Sequence, residues 1–210
     1  MTLRIYGTAA SRAARPLWVA HELGLAYEHI PLPYQGGATR TPEFLAINPN
    51  GRIPAIDDDG VIVWESMACA LYLADRFRPA GLPSLAAENH AEQAEILRWS
   101  FWVMSECEKD ALTVLMHRAL MPAERRKPPL ADEAERRLLQ PLRVLEQHLQ
   151  SRDYLAGVRF TVADICVASV LAWVQGANGL MVQCPGVEAW LRRCLERPAF
   201  QKLRLMTKNA

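Results

Sequence analysis

Two short stretches of this chain pair chemically useful residues with a spacing that constrains where they sit: NGRIPAI, residues 50–56, and WES, residues 64–66. Pro54 has no backbone N–H, so it cannot donate to a sheet ladder and belongs at a strand start or edge. If its peptide bond is cis, the chain turns sharply there and leaves the N–H and C=O of Ile53 free for a partner outside the sheet. Ser66 opens an apolar helical run, SMACALYLADRF. The unpaired N–H groups of a helix start attract an anion. The plainer role for Ser66 is that of an N-cap, and the two uses are compatible.

The elements that must position these residues follow from periodicity. LRIY reads as a strand, closed by Gly7 and the small-residue stretch GTAAS. Ala14, Leu17, Trp18 and Leu25 then form a helical stripe, with Ser11 as its cap and Gly24 at its end. YEHIPL reads as a second strand, and TPEFLAIN as a short helix capped by Thr41 with Pro42 in its first turn. IPAI and VIVW, joined by DDDG, read as a hairpin. The order β-α-β, α, β-β-α describes a small mixed sheet over residues 1–78. Residues 79–88, with two prolines and a glycine, read as a linker.

Residues 89–210 lose the β-branched runs and become helical. Ala94, Leu97, Phe101 and Met104 continue to Ala111 and Leu115 as one long stripe. A second helix is expected to bend at Pro141. TVADICVASVLAWV is apolar enough to be buried on most sides, and Thr161 with Asp164 has the spacing of a capping box. VEAWLRRCLERP closes the set.

Composition narrows the classes. The 210 residues carry 24 basic and 23 acidic side chains, a net charge of +1, so no electrostatic footprint for nucleic acid or an anionic membrane is visible. No run is long and apolar enough for a membrane span, and MTLRIYGTAASR lacks the pattern of a signal peptide. The five cysteines are widely spaced and odd in number, which reads as reduced thiols in a cytoplasmic protein. The five histidines share no metal-ligand spacing with them, and no metal is expected.

YGTAASRAARPLWVAHELGLAYE, NPNGRIP, ESMACALYLA and YLAGVRFTVADICVA, in this order, make the whole chain resemble the cytosolic glutathione transferases. The resemblance implies an α/β thioredoxin-like N-terminal domain and an all-α C-terminal domain. It also implies a homodimer, glutathione as co-substrate and conjugation to a small hydrophobic electrophile. It makes Pro54 a cis proline whose preceding residue, Ile53, pairs with the cysteinyl backbone of glutathione. Ser66 would hold the γ-glutamyl carboxylate, Glu65 would face its ammonium, and Arg52 would reach either the glycyl end or solvent.

Family members activate the thiol with a tyrosine, serine or cysteine near the end of the first strand. No cysteine precedes Cys69, which leaves Ser11 as first choice and Tyr6 as second. A hydroxyl donating to the sulfur lowers a thiol pKa that is otherwise ~8.5. Pro16 departs from the family pattern and puts the placement of Ser11 in question. The electrophile would meet Trp99 and Trp102, at i and i+3, with Ser105 nearby, although tryptophans at that spacing more often serve packing or a dimer interface. A glutathione-dependent isomerase, lyase or peroxidase, and a non-catalytic glutathione-binding module, are the competing functions on the same scaffold.

Overall fold

Alternation along the first strand divides its side chains between two layers. In the computed structural model, which describes residues 2–78 and 84–208, β1 (Leu3–Tyr6) places Ile5 on one face and Tyr6 on the other. It is followed by α1 (Ala14–Glu22), β2 (Glu28–Ile30), α2 (Pro42–Ile47), β3 (Ala55–Asp58), β4 (Val61–Trp64) and α3 (Ser66–Arg76). The four strands lie in the order β2-β1-β3-β4, with β1 and β2 parallel and the other pairs antiparallel. Tyr6, Phe44 of α2 and Ala55 pack together with Ile47 and Ile53 on one face. Ile5 and Ile56 are cross-strand partners and fully buried on the other, while α1 and α3 pack on each other. The hairpin turns through Asp59 (φ 49°) and Gly60 (φ 94°), both left-handed, as the DDDG stretch suggests.

The expected cap of α1 is corrected. Ala13 occupies the N-cap position and no side chain caps the helix. The Ser11 hydroxyl donates to the Thr8 carbonyl (2.7 Å) and accepts from the Ala13 N–H (3.1 Å), closing a turn of its own before the helix begins. Pro16 then falls in the first turn, where its missing N–H deprives the helix of nothing. Thr41 does cap α2, accepting from the Phe44 N–H at 3.3 Å.

The second unit, residues 87–196, starts with α4 (His90–Trp102), capped by Asn89, and continues through a π turn at Val103–Cys107 into α5 (Glu108–Leu115) and a second π turn at Met116–Leu120. The apolar stripe read from the sequence coincides only in part with the buried face. Ala94, Leu97, Phe101 and Met104 are exposed, whereas Ala111 of the same stripe is buried together with Ile96, Trp99, Val103 and Cys107. The chain is apolar on both sides here, so periodicity alone could not choose the face. A spacing of four repeated from Val103 to Ala111 outruns 3.6 residues per turn, and the wide π turn brings these residues back into phase.

Helix α6 (Pro128–Leu149) runs through Pro141 as one element. All ten residues of α7 (Val162–Leu171) are buried, as expected. Thr161 and Asp164 form the capping box, and Asp164 Oδ1 also accepts from the Leu155 N–H (3.0 Å) and Trp190 Nε1 (2.9 Å). After the short α8 (Asn178–Met181), α9 (Pro185–Leu195) has its first N–H groups capped by Glu146, which accepts from Gly186 at 2.9 Å and Val187 at 2.8 Å.

The last helix, α10 (Pro198–Lys208), belongs to the first compact unit, which comprises residues 1–86 and 197–210. This differs from a division in chain order. The physical reason is a cluster on α1: Phe200 packs on Trp18 (ring centroids 4.5 Å), and Arg197 binds Glu22 through two 2.7 Å hydrogen bonds. Of the expected linker, residues 79–83 lie outside the described residues. Together the two units have the thioredoxin-like α/β plus all-α architecture that the sequence implies.

Candidate functional site

The strand register gathers the singled-out residues of the first unit at one end of the sheet. Ile30, Tyr6, Ala55 and Trp64 are Cα partners in one row across the four strands. One step beyond that row lie the loop with Ser11, the Ile53–Pro54 pair that enters β3, and the Glu65–Ser66 pair that leaves β4. Gly7 brings two of these together. Its φ is +124°, and a Cβ on it would stand 2.8 Å from the Ala13 Cβ and 3.1 Å from the Ile53 Cβ, so only glycine lets the loop approach Ile53 this closely. His29 holds the same turn through the Gly7 carbonyl at 2.8 Å.

The Ile53–Pro54 bond is cis, as expected. Among the described residues, neither the N–H nor the C=O of Ile53 has a hydrogen-bond partner. Asn48, only 2% exposed, organises the approach: its Nδ2 donates to the Arg52 carbonyl (2.6 Å) and its Oδ1 accepts from Asn50 N–H (3.1 Å). Arg52 itself is exposed. Gly51 lies against the Thr39 carbonyl and the Arg40 guanidinium, which bounds this loop on its other side.

Glu65 is exposed and has φ +73°, a backbone conformation that a non-glycine side chain adopts at a cost of about 1–3 kcal/mol. Such strain is concentrated where function demands it. Ser66 is buried at the first position of α3, and Arg15 Nη1 donates to its hydroxyl at 2.6 Å. Arg15 was not anticipated. The signal was present as a basic residue in an otherwise apolar helix stripe, but nothing in its spacing pointed to Ser66.

The two candidate hydroxyls differ in surroundings. Ser11 is half-buried in the loop, hydrogen-bonded only to its own turn. Tyr6 packs in the core cluster with Phe44 (ring centroids 6.0 Å), and burial raises its pKa, opposed by the Arg4 guanidinium. No cysteine offers an alternative nucleophile: all five are buried outside any disulfide, and burial pushes Cys69 and Cys107 up to about 12.

In the helical unit, Trp99 is buried and donates from Nε1 to Glu95 (3.2 Å), while Trp102 meets it edge-on at 4.9 Å. They line a cleft of about 520 Å³ with Arg98, Val144, His148 and Arg152. Ser105 is exposed and does not line that cleft; its hydroxyl donates back to the carbonyls of Phe101 and Trp102. Among the described residues no group of three metal-ligating side chains converges, and no helix is long and apolar enough to cross a membrane.

Residues 1–75 match the family model of the glutathione S-transferase N-terminal domain, and residues 108–198 match that of the C-terminal domain. Glutathione S-transferase 3 of Zea mays is 32% identical over 206 residues, covering 95% of this chain and 92% of that protein. The chain belongs to the glutathione S-transferase family. Among solved structures, a glutathione transferase of Populus trichocarpa superposes on this transferase with a TM-score of 0.87 at 28% identity, covering 97% of this chain and 98% of the other. The theta-class enzyme of Xanthomonas axonopodis pv. citri, solved with glutathione bound, gives a TM-score of 0.81 at 29% identity and 95% coverage of each chain. The family membership makes the protein a glutathione transferase.

Proposed function

We propose that this transferase lays glutathione along the end of its sheet, with the cysteinyl backbone paired to the N–H and C=O of Ile53 ahead of Pro54. The γ-glutamyl carboxylate is held by Ser66 and the start of α3, its ammonium by Glu65, and the glycyl end lies towards Arg52. The observation that carries this reading is the single row of Cα partners from Ile30 to Trp64, which puts all three loops at the same end of the sheet. An unpaired strand edge there suits a peptide added as a short strand.

Ser11 then activates the thiol. Its hydroxyl proton, now turned to the Thr8 carbonyl, needs only a rotation about the side chain to reach a sulfur. Donation to the charged form lowers the thiol pKa and raises the thiolate fraction. The core packing of Tyr6 favours a structural role for that residue. The thiolate attacks an electrophilic carbon of a small hydrophobic substrate, which displaces its leaving group or opens. Trp99 and Trp102 supply an aromatic wall for that substrate, and Ser105 contributes least, being engaged with its own helix.

We assign residues 1–78 to glutathione binding and 89–210 to electrophile binding. The exposed stripe of Leu97, Phe101 and Met104 supports a homodimer. Five buried cysteines outside any disulfide are consistent with a cytoplasmic protein.

The test is conjugation of glutathione to chlorodinitrobenzene by Ser11→Ala and Tyr6→Phe. Ser11→Ala is expected to lower kcat by about ten-fold or more while leaving KM for glutathione nearly unchanged. Full activity in Ser11→Ala with loss in Tyr6→Phe would transfer the role to Tyr6. A protein that shows no heat of binding to glutathione would remove the reading altogether.

A further inference from the structure

Arg15 is the one arginine among the described residues that is buried, at 1% exposure, and its guanidinium ends on the hydroxyl of Ser66. It sits in the first turn of α1, which packs on α3, and lies 51 residues away in sequence from the helix start it touches. We propose that Arg15 is a positioning residue for the ligand carboxylate at α3, acting through Ser66. The proposal rests on the assignment of that helix start to the γ-glutamyl carboxylate of glutathione.

The argument is one of hydrogen-bond capacity. A serine hydroxyl has one proton to donate and two lone pairs. The Arg15 N–H occupies a lone pair, so the hydroxyl proton is directed away from the guanidinium and is available to an acceptor at the helix start. The cation also polarises the O–H bond, which strengthens it as a donor. A guanidinium stays charged at every pH the fold survives. A carboxylate at the start of α3 therefore meets backbone N–H groups, an oriented hydroxyl and, one hydrogen bond further, a fixed positive charge in a buried setting. A helix start alone carries only partial charge. Arg15 makes the site selective for an ionised carboxylate over a neutral group of the same size.

The test compares glutathione with γ-aminobutyryl-cysteinyl-glycine, which lacks only the α-carboxylate, in wild type and Arg15→Met. The expected result is a KM for glutathione raised about ten-fold or more, with kcat little changed and the analogue's KM nearly unaffected. Arg15→Lys, which keeps the charge with a different donor geometry, should recover part of the loss. An equal loss for both peptides, or no loss for either, overturns the proposal while glutathione binding by wild type stands. Failure of wild type to bind glutathione overturns the underlying site assignment instead. If Arg15→Met does not fold, Arg15→Lys and Ser66→Ala with their double variant decide the matter. Effects on glutathione KM that fail to add support action through Ser66, and additive effects overturn it.

Discussion

The carboxylate of Glu146 and the backbone of Gly186 are in such close contact that a Cβ at residue 186 would lie 2.9 Å from Oε1. The same carboxylate caps α9 through the N–H groups of Gly186 and Val187. Gly186→Ala is expected to push the carboxylate off these donors and destabilise the protein by about 1 kcal/mol, the usual loss of a helix cap. Glu146→Gln should cost a similar amount. Because both changes break one cap, the double variant should lose little more than either single one, as read by urea unfolding.

Gly7 is the tightest point of the loop that carries Ser11. A Cβ there meets Ala13 at 2.8 Å, and φ is +124°. Gly7→Ala is expected to destabilise by about 2 kcal/mol or more. It should also raise KM for glutathione, since the displaced atoms include Ile53. A variant with wild-type melting temperature and kinetics would show that the loop tolerates displacement.

Glu65 separates strain from binding. Replacing it with glycine removes the cost of φ +73° and should stabilise the fold by about 1 kcal/mol. Glu65→Ala should bring no such gain. Both should raise KM for glutathione by removing the carboxylate that faces the ammonium. Thermal melting and steady-state kinetics on the same pair of variants distinguish the two effects.

Burial pushes the Asp164 carboxyl up to about 6, against the pull of the donors from Thr161, Leu155 and Trp190. A folded-state pKa above the unfolded value of 3.8 means that its contribution to stability is fully present below the unfolded value and is lost as pH rises through about 6. The total change amounts to about 3 kcal/mol, from 1.36 kcal/mol per pKa unit. Asp164→Asn should lack this slope, although its amide cannot accept from all the donors and the variant should be less stable near neutral pH. Denaturant titrations at a series of pH values check the difference in slope.

Much of the first unit was legible because its signals are local. Thr41 with Pro42, the DDDG turn and the Ile53–Pro54 pair each specify backbone geometry within a few residues. The same holds for the Thr161–Asp164 box. What escaped depends on tertiary contact. Ser11 has the chemistry of a cap, but its oxygen accepts from the Ala13 N–H ahead of the helix, which starts only at Ala14. The buried face of α4 was not legible because Leu97 and Phe101 are as apolar as Ile96 and Val103, and only packing distinguishes them. Arg15, Asn48 and Glu146 act on partners brought near by folding, which no short spacing encodes.

The contact of α10 with α1 has a consequence for how the protein is made. Trp18 and Glu22 emerge early from the ribosome, yet Phe200 and Arg197, which cover and bind them, follow only after the whole helical unit has been made. The sheet can form beforehand, but α1 waits for α10 to return to it. Removing residues 197–208 would leave the Trp18 indole uncovered and the Glu22 carboxylate without its arginine, and the bared indole would invite aggregation.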